Sequence, residues 1–217
     1  LPNRQSEEGI AMYRREIIRF KEKLEEQFGT TITEEAIRHQ IRLRNETTKA
    51  LLRLQYLMAN DPAPVSGLDI VNTSYGSGFN LDLESLPGRI NEMADMIEAD
   101  YAAGKNVGKK PRILVTGSPS GGAALKVIRA IEESGAVVVA FENCAGLKSM
   151  LLTDEENPDV YDALARRYMG IGCLLFKCVK AQVGMTAASA AIHPSPRLSK
   201  YRKLFAENNF LFFENIF

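Results

Sequence analysis

The stretch between residues 112 and 141 decides the fold, and it begins Arg112-Ile-Leu-Val-Thr-Gly-Ser-Pro-Ser-Gly-Gly122. A short apolar run leads into a glycine-rich turn, and residues 123–134 then carry apolar side chains at helical spacing. Gly135 ends this helix, and a second apolar run follows, Ala136-Val-Val-Val-Ala-Phe141. The order of strand, turn, helix and strand predicts a βαβ unit with parallel strands and a right-handed crossover.

Both strands are continuous runs of apolar residues, which is typical of a sheet covered on both faces. We therefore predict the α/β class, with a Rossmann-like parallel βαβ unit preceded by a helical segment. Ligands of such sheets bind at the carboxyl ends of the strands. Here these ends are the loops 117–122 and 142–146, and we expect both loops to lie at the same rim.

Helical signals dominate the chain before this unit. Ser6 and Thr33, each followed by two glutamates, predict the N-caps of two helices, and Gly29 predicts the end of the first. Residues 65–80 are rich in Gly and Ser and predict a loop or a short bent helix, and an amphipathic helix follows from 86 to 101. We divide the chain into a helical segment (1–110), an α/β subdomain (111–173) and an atypical tail (174–217).

Composition excludes several classes of function. The 27 Lys and Arg residues balance 27 Asp and Glu residues, so no net charge draws the chain to nucleic acid or to an anionic membrane. Basic residues of the second helix, such as Arg38, Arg42 and Arg53, alternate with glutamates, which favours a solvated helix face. No apolar run reaches the roughly 20 residues of a membrane span, and the first residues lack the basic and apolar regions that we expect of a signal peptide. Three scattered cysteines indicate reduced thiols and a cytoplasmic protein.

The first loop admits a nucleotide hypothesis. Gly117, Gly121 and Gly122 lead into a helix N-terminus, where free N–H groups attract an anion. The spacing matches neither common phosphate-binding glycine motif, although Glu142 stands where a dinucleotide fold places its ribose carboxylate. The alternatives are a tight structural turn or a non-catalytic domain that binds an anionic nucleotide at residues 117–122.

The second loop carries a cysteine directly after a buried strand. Cys144 lies at the expected rim, and Gly146 would let the backbone approach a ligand closely. Cys173 follows a predicted helix, residues 160–168, in a similar small-residue turn. A lone cysteine is more often a packing residue than a ligand, so spacing alone only suggests a metal site. Three other residues lack a partner motif and are interpreted as bystanders or surface residues: His39, Cys178 and His193.

A family resemblance strengthens the metal hypothesis. Residues 112–117, the run Val137-Val-Val-Ala-Phe-Glu-Asn-Cys-Ala-Gly146 and the run Asp154-Glu-Glu-Asn-Pro-Asp-Val-Tyr-Asp-Ala-Leu-Ala165 are similar to the 2-hydroxyacyl-CoA dehydratase D-component and benzoyl-CoA reductase family. The sequence is closest to its double-cubane cluster protein branch. The resemblance covers Leu1 to about Cys173, and Phe-Glu-Asn-Cys-x-Gly is its most specific element.

The resemblance implies an iron–sulfur enzyme subunit. Cys144 and Cys173 would be ligands of a 4Fe–4S cluster or of a double-cubane cluster. The implied activity is radical dehydration of a 2-hydroxyacyl-CoA thioester, or low-potential reduction of a small molecule. The implied partners are an ATP-dependent activator protein that supplies the electron and a related subunit in a homodimer or heterodimer.

Some features depart from the family pattern. Ser118 occupies a position where many members carry Cys, and a hydroxyl is a poor substitute for a thiolate. We expect the family pattern to end at Cys173 and the tail to pack irregularly, as in a truncated or frame-shifted product. The missing initiator Met suggests that the chain begins inside a longer protein.

Overall fold

The structure is a computed structural model, and it describes residues 2, 6–116, 122–143, 146–171 and 211–213 of the 217-residue chain. The described residues form helices α1 (Glu7–Phe28), α2 (Glu34–Leu57), α3 (Gly67–Ser77), α4 (Leu86–Ala102), α5 (Gly122–Glu133) and α6 (Val160–Met169), strands β1 (Arg112–Thr116), β2 (Val137–Glu142) and β3 (Leu211–Phe213), and a short 3-10 helix (Leu147–Ser149). None of the described helices combines the length and the apolar composition that spanning a membrane requires.

The first two helices begin at the predicted residues, and the first also ends at the predicted one. The Ser6 hydroxyl accepts a hydrogen bond from the Gly9 N–H at 3.2 Å, and the Thr33 hydroxyl accepts one from the Ala36 N–H at 3.2 Å. Gly29 ends α1 with a φ of 61°, in the left-handed region that glycine adopts without strain. These local signals confirm the predicted N-caps and the predicted end of α1.

The glycine- and serine-rich segment after α2 forms a regular helix. The Ser66 hydroxyl caps α3 by accepting a hydrogen bond from the Asp69 N–H at 3.1 Å. Gly67, the first residue of α3, packs so tightly on β2 that an added Cβ would lie 2.1 Å from the Val138 carbonyl oxygen. The helix is therefore defined by a local cap together with a close contact to the sheet.

The sheet is parallel. β1 lies between β2 and β3, and it pairs with β2 from Arg112 opposite Val137 to Thr116 opposite Glu142, with an irregularity after Ile113. This pairing confirms the two predicted strands and their parallel orientation. The molecule is thus a helix-rich α/β protein with a small parallel sheet, and the more specific Rossmann-like description stays a prediction.

The short strand β3 corrects part of our expectation for the tail. Residues 211–213 pair in parallel with β1, from Ile113 opposite Leu211 to Val115 opposite Phe213. An apolar Leu-Phe-Phe run has high β-propensity and suits such a position. Three residues of the tail therefore continue the sheet, where we expected irregular packing. The rest of the tail, residues 172–210 and 214–217, lies outside the described residues, and the domain boundaries stay predictions.

One hydrophobic core joins the helical segment to the sheet. Leu54 of α2, Met58 at the C-cap of α2 and Ile70 of α3 are buried together with Val138 and Phe141 of β2. Arg53 on the other face of α2 is ion-paired with α4, because its guanidinium lies 2.5 Å from the Asp95 carboxylate and 2.8 Å from the Glu98 carboxylate. The basic residues of α2 thus include one that bridges two helices.

Ion pairs attach the long helix α1 to both ends of α6. The Arg14 guanidinium lies 2.6 Å from the carboxylate of Asp159, the N-cap residue of α6. Near the other end, Arg166 lies 2.8 Å from the Glu7 carboxylate. These pairs fix α6 to the helical part of the molecule.

Candidate functional site

The ends of β1 and β2 meet at one edge of the sheet, as the parallel pairing requires. The Thr116 hydroxyl donates a hydrogen bond to a Glu142 carboxylate oxygen at 2.5 Å, so the last residues of the two strands are directly linked. Gly122 is the first residue of α5. Gly117 and Gly121 fall in the loop 117–121, outside the described residues, and their place at this edge stays a prediction.

Glu142 is the carboxylate that the nucleotide hypothesis assigned to a ribose. It is half-buried and accepts a hydrogen bond from the Thr116 hydroxyl. A ribose hydroxyl at this position would have to share the carboxylate with Thr116. The contact gives Glu142 a structural role in joining the strand ends.

Asn143 and Gly146, the described residues on either side of Cys144 and Ala145, are in contact with each other. The Gly146 N–H donates a hydrogen bond to the Asn143 carbonyl oxygen at 3.1 Å. An added Cβ at Gly146 would lie 2.2 Å from the Phe141 carbonyl oxygen, so only glycine fits against the end of β2. We expected Gly146 to let the backbone come close to a ligand. In the structure Gly146 lies close to the Phe141 backbone. Cys144 itself lies outside the described residues.

A buried arginine of α6 holds the segment after this loop. The Arg167 guanidinium donates hydrogen bonds to the carbonyl oxygens of Ser149 and Leu151, each at 3.2 Å. Burial lowers the pKa of Arg167, and the positive charge of Arg44 lowers it further. Sequence reasoning missed Arg167, although its spacing of seven from Val160 places it on the buried face of α6.

The same arginine links two described segments that lie next to the candidate ligands in the chain. Arg167 lies six residues before Cys173 in the chain, and its partner Ser149 lies five residues after Cys144. Cys173 and Cys178 both fall in the segment 172–210, outside the described residues. Their positions therefore stay predictions, while the flanking segments are in contact.

The described residues do not by themselves supply the ligands of a metal cluster. None of them is a cysteine, and among them no three His, Asp or Glu side chains converge on a metal position. His39 is exposed and hydrogen-bonded to Glu84 at 2.9 Å, as expected of a surface residue, and His193 lies outside the described residues. Thiolate ligands could come only from Cys144, Cys173 and Cys178.

The fold and this edge define a class: a helix-rich α/β protein whose candidate site lies at the carboxyl edge of a parallel sheet. The sequence model of the family "2-hydroxyglutaryl-CoA dehydratase, D-component" matches residues 1–191, and the chain therefore belongs to that family. The match confirms the resemblance and extends it 18 residues past Cys173, where we had placed its end. The assignment to the double-cubane branch stays a prediction.

One curated protein gives a second comparison. The chain is 41% identical over 174 residues to "Putative dehydratase subunit YjiM" of Escherichia coli (strain K12). The aligned region covers 80% of this chain and 45% of that protein. The chain thus spans about half the length of the curated relative that it matches.

Proposed function

We propose that the chain is part of a 2-hydroxyacyl-CoA dehydratase-type subunit and that the carboxyl edge of its sheet contributes to an iron–sulfur site. Cys144 and Cys173 are the proposed ligands. The observation that carries the proposal is the contact of Arg167 with Ser149, which brings together the segment after Cys144 and the helix before Cys173. Family membership supports the same assignment.

In this proposal the described residues act by positioning. The Thr116–Glu142 hydrogen bond holds the strand ends together, and Gly146 packs closely against the end of β2. Arg167 keeps the following segment against α6. A bound 4Fe–4S or double-cubane cluster would supply one-electron chemistry for dehydration of a CoA thioester or reduction of a small molecule. The electron donor would be an ATP-dependent activator, and the second subunit a related chain.

The number of thiolates limits what this chain can hold by itself. A 4Fe–4S cluster is normally held by several cysteine thiolates. Cys144 and Cys173 provide two, Ser118 provides none, and we assign no role to Cys178. We therefore expect the isolated chain to retain a cubane poorly, with the missing ligand supplied by other parts of the whole protein.

Anaerobic reconstitution tests the proposal. The chain is incubated with iron and sulfide and desalted, and iron, acid-labile sulfide and the visible spectrum are then measured. We expect less than one cluster per chain, with a further decrease in Cys144→Ser and Cys173→Ser and no change in the matched control Cys178→Ser. Near-complete occupancy that disappears in Cys178→Ser would show that the ligand assignment is wrong. Iron retention that is unchanged in Cys144→Ser would reject the site itself.

The second candidate is a non-catalytic domain that binds an anionic nucleotide at residues 117–122. The observation in its favour is that α5 begins at Gly122, directly after the glycine-rich turn, so its N-terminal N–H groups adjoin the edge where β1 and β2 end. Calorimetric titration with ADP and NAD separates the two candidates. Saturable nucleotide binding in a chain that retains no iron under any condition would favour this second function.

A further inference from the structure

A cavity lies between α2 and α6. Its volume is about 420 Å³, and it is bounded by α2, by the segment that leads into α4, and by α6. Aliphatic side chains form most of its walls, among them Ile37 and Ile41 of α2, Leu86 of α4 and Leu164 of α6. This size and this apolar lining are those of a small-molecule site.

Two guanidinium groups line this apolar cavity. Arg167 is only 9% exposed, and it uses two of its five N–H donors on the carbonyl oxygens of Ser149 and Leu151. Its Nη1 group makes no hydrogen bond to any residue that the structure describes. Arg44 is exposed at the cavity and forms no ion pair within the described part of the chain. An anion entering the cavity would therefore meet free donors from two helices.

The positive charge in the cavity has no described counter-ion. No Asp or Glu is found among the described residues that line it. Arg167 packs against the Tyr168 ring, with its Cζ 4.5 Å from the ring centroid, and Arg44 acts on it as a like charge. Two like charges beside apolar walls are unfavourable, and a bound anion would offset both the repulsion and the loss of hydration.

The walls of the cavity are held by hydrogen bonds that do not involve a ligand. The Asn45 side chain donates to the Thr153 carbonyl oxygen at 2.8 Å and accepts from the Thr153 N–H at 2.9 Å. Arg38 donates to the carbonyl oxygens of Asn157 and Pro158, at 3.0 and 2.7 Å. These contacts fix the segment before α6 against α2, so a ligand would enter a preformed site.

We propose that this cavity binds a monocarboxylate with an unbranched aliphatic tail. The carboxylate would accept hydrogen bonds from Arg44 and from Arg167 Nη1, and the tail would lie along Ile37, Ile41 and Leu164. A carboxylate would neutralise the positive charge of the two arginines, and an aliphatic tail would pack against the largely apolar walls. This cavity shares Arg167 with the segment next to the proposed iron–sulfur site, but carboxylate binding requires no cluster there.

Binding of sodium octanoate to the full chain tests the proposal by calorimetry, with 1-octanol and inorganic phosphate as comparison probes. We expect saturable binding of one octanoate per chain, and much weaker binding of octanol, which lacks the charge, and of phosphate, which lacks the tail. The loss of one charge-assisted contact in Arg44→Gln should weaken octanoate about tenfold. Ala36→Phe, which fills the exposed mouth of the cavity, should weaken it to a similar degree.

The matched control is Arg42→Gln, an exposed arginine of the same helix that does not line the cavity. It removes the same charge from the chain and should leave octanoate affinity unchanged. Both arginines are exposed and make no side-chain hydrogen bonds to described residues, so both variants should fold. No saturable binding, equal binding of octanol, equal binding of phosphate, or equal losses in Arg42→Gln and Arg44→Gln would each overturn the proposal.

Discussion

Replacing Glu132 by alanine should separate the helical segment from the sheet more effectively than any other single change on the surface of α5. The Glu132 carboxylate accepts hydrogen bonds from the N–H groups of Gly67 at 2.7 Å, Leu68 at 3.3 Å and Val138 at 3.1 Å. Two of these donors belong to the first turn of α3 and have no partner inside that helix. One carboxylate thus joins α5, α3 and β2.

The size of the effect follows from these three contacts. A hydrogen bond to a charged group contributes about 1.5–3 kcal/mol to stability. Glu132 is half-buried, so water can reach some of the donors that alanine would leave, and the three contributions are not fully additive. We expect Glu132→Ala to lower the free energy of unfolding by about 2–4 kcal/mol. Glu132→Gln keeps one carbonyl oxygen as an acceptor and should lose about half as much.

Urea denaturation followed by far-ultraviolet circular dichroism measures this difference. The control is Glu133→Ala, because Glu133 is the next residue, is exposed and makes no described side-chain hydrogen bond. It should change the free energy of unfolding by no more than about 0.5 kcal/mol, as expected for a surface substitution. If Glu132→Ala and Glu133→Ala destabilised the chain equally, the proposed link between α5, α3 and β2 would be refuted.

Two further predictions concern close packing and pH. Gly67→Ala should destabilise the chain by about 1–3 kcal/mol in thermal unfolding, because the new Cβ would lie 2.1 Å from the Val138 carbonyl oxygen. Gly76→Ala in the same helix meets nothing within 4 Å and should instead stabilise it by about 0.5–1 kcal/mol, so destabilisation by both would contradict the packing argument. Burial raises the pKa of Asp159, but hydrogen bonds from the Asp162 N–H and from Arg14 outweigh it and leave that pKa below its usual value of about 3.9. Because the folded-state pKa of Asp159 is lower than the unfolded-state pKa, its stabilisation is complete above the usual pKa and is lost as the pH falls below that value. Asp159→Asn should therefore flatten the dependence of the free energy of unfolding on pH between about pH 2 and 5. An unchanged slope would argue against this role of Asp159.

The elements that could be predicted from the sequence are those with local signals. Ser6 and Thr33 are followed by glutamates, and Gly29 follows the last apolar position, so caps and periodicity act within a few residues of each helix end. The βαβ pattern likewise predicted the strands and the edge where Thr116 meets Glu142. The positions of Gly117, Gly121, Cys144 and Cys173 at this edge stay predictions, since they lie outside the described residues.

The contacts that could not be predicted join residues far apart in the chain. Glu132 and Gly67 are separated by 65 positions, and a glutamate at the end of a helix ordinarily indicates solvent exposure. Arg167 follows Arg166 directly, and only the packing of α6 makes one arginine exposed and the other buried. The glycine-rich stretch around Gly67 left a loop and a short bent helix both open, because nothing nearby in the sequence shows that a strand passes within contact distance.

The packing of α3 on β2 also protects part of the outer edge of the sheet. In the described sheet β2 is an outer strand, and an outer strand normally has free N–H and C=O groups that can pair with a strand of another chain. At Val138 both groups are taken, since Glu132 accepts from the N–H and the Gly67 backbone covers the oxygen. A further strand could therefore not pair with β2 at this residue. The same two contacts would oppose, at Val138, the edge-to-edge pairing that leads to aggregation.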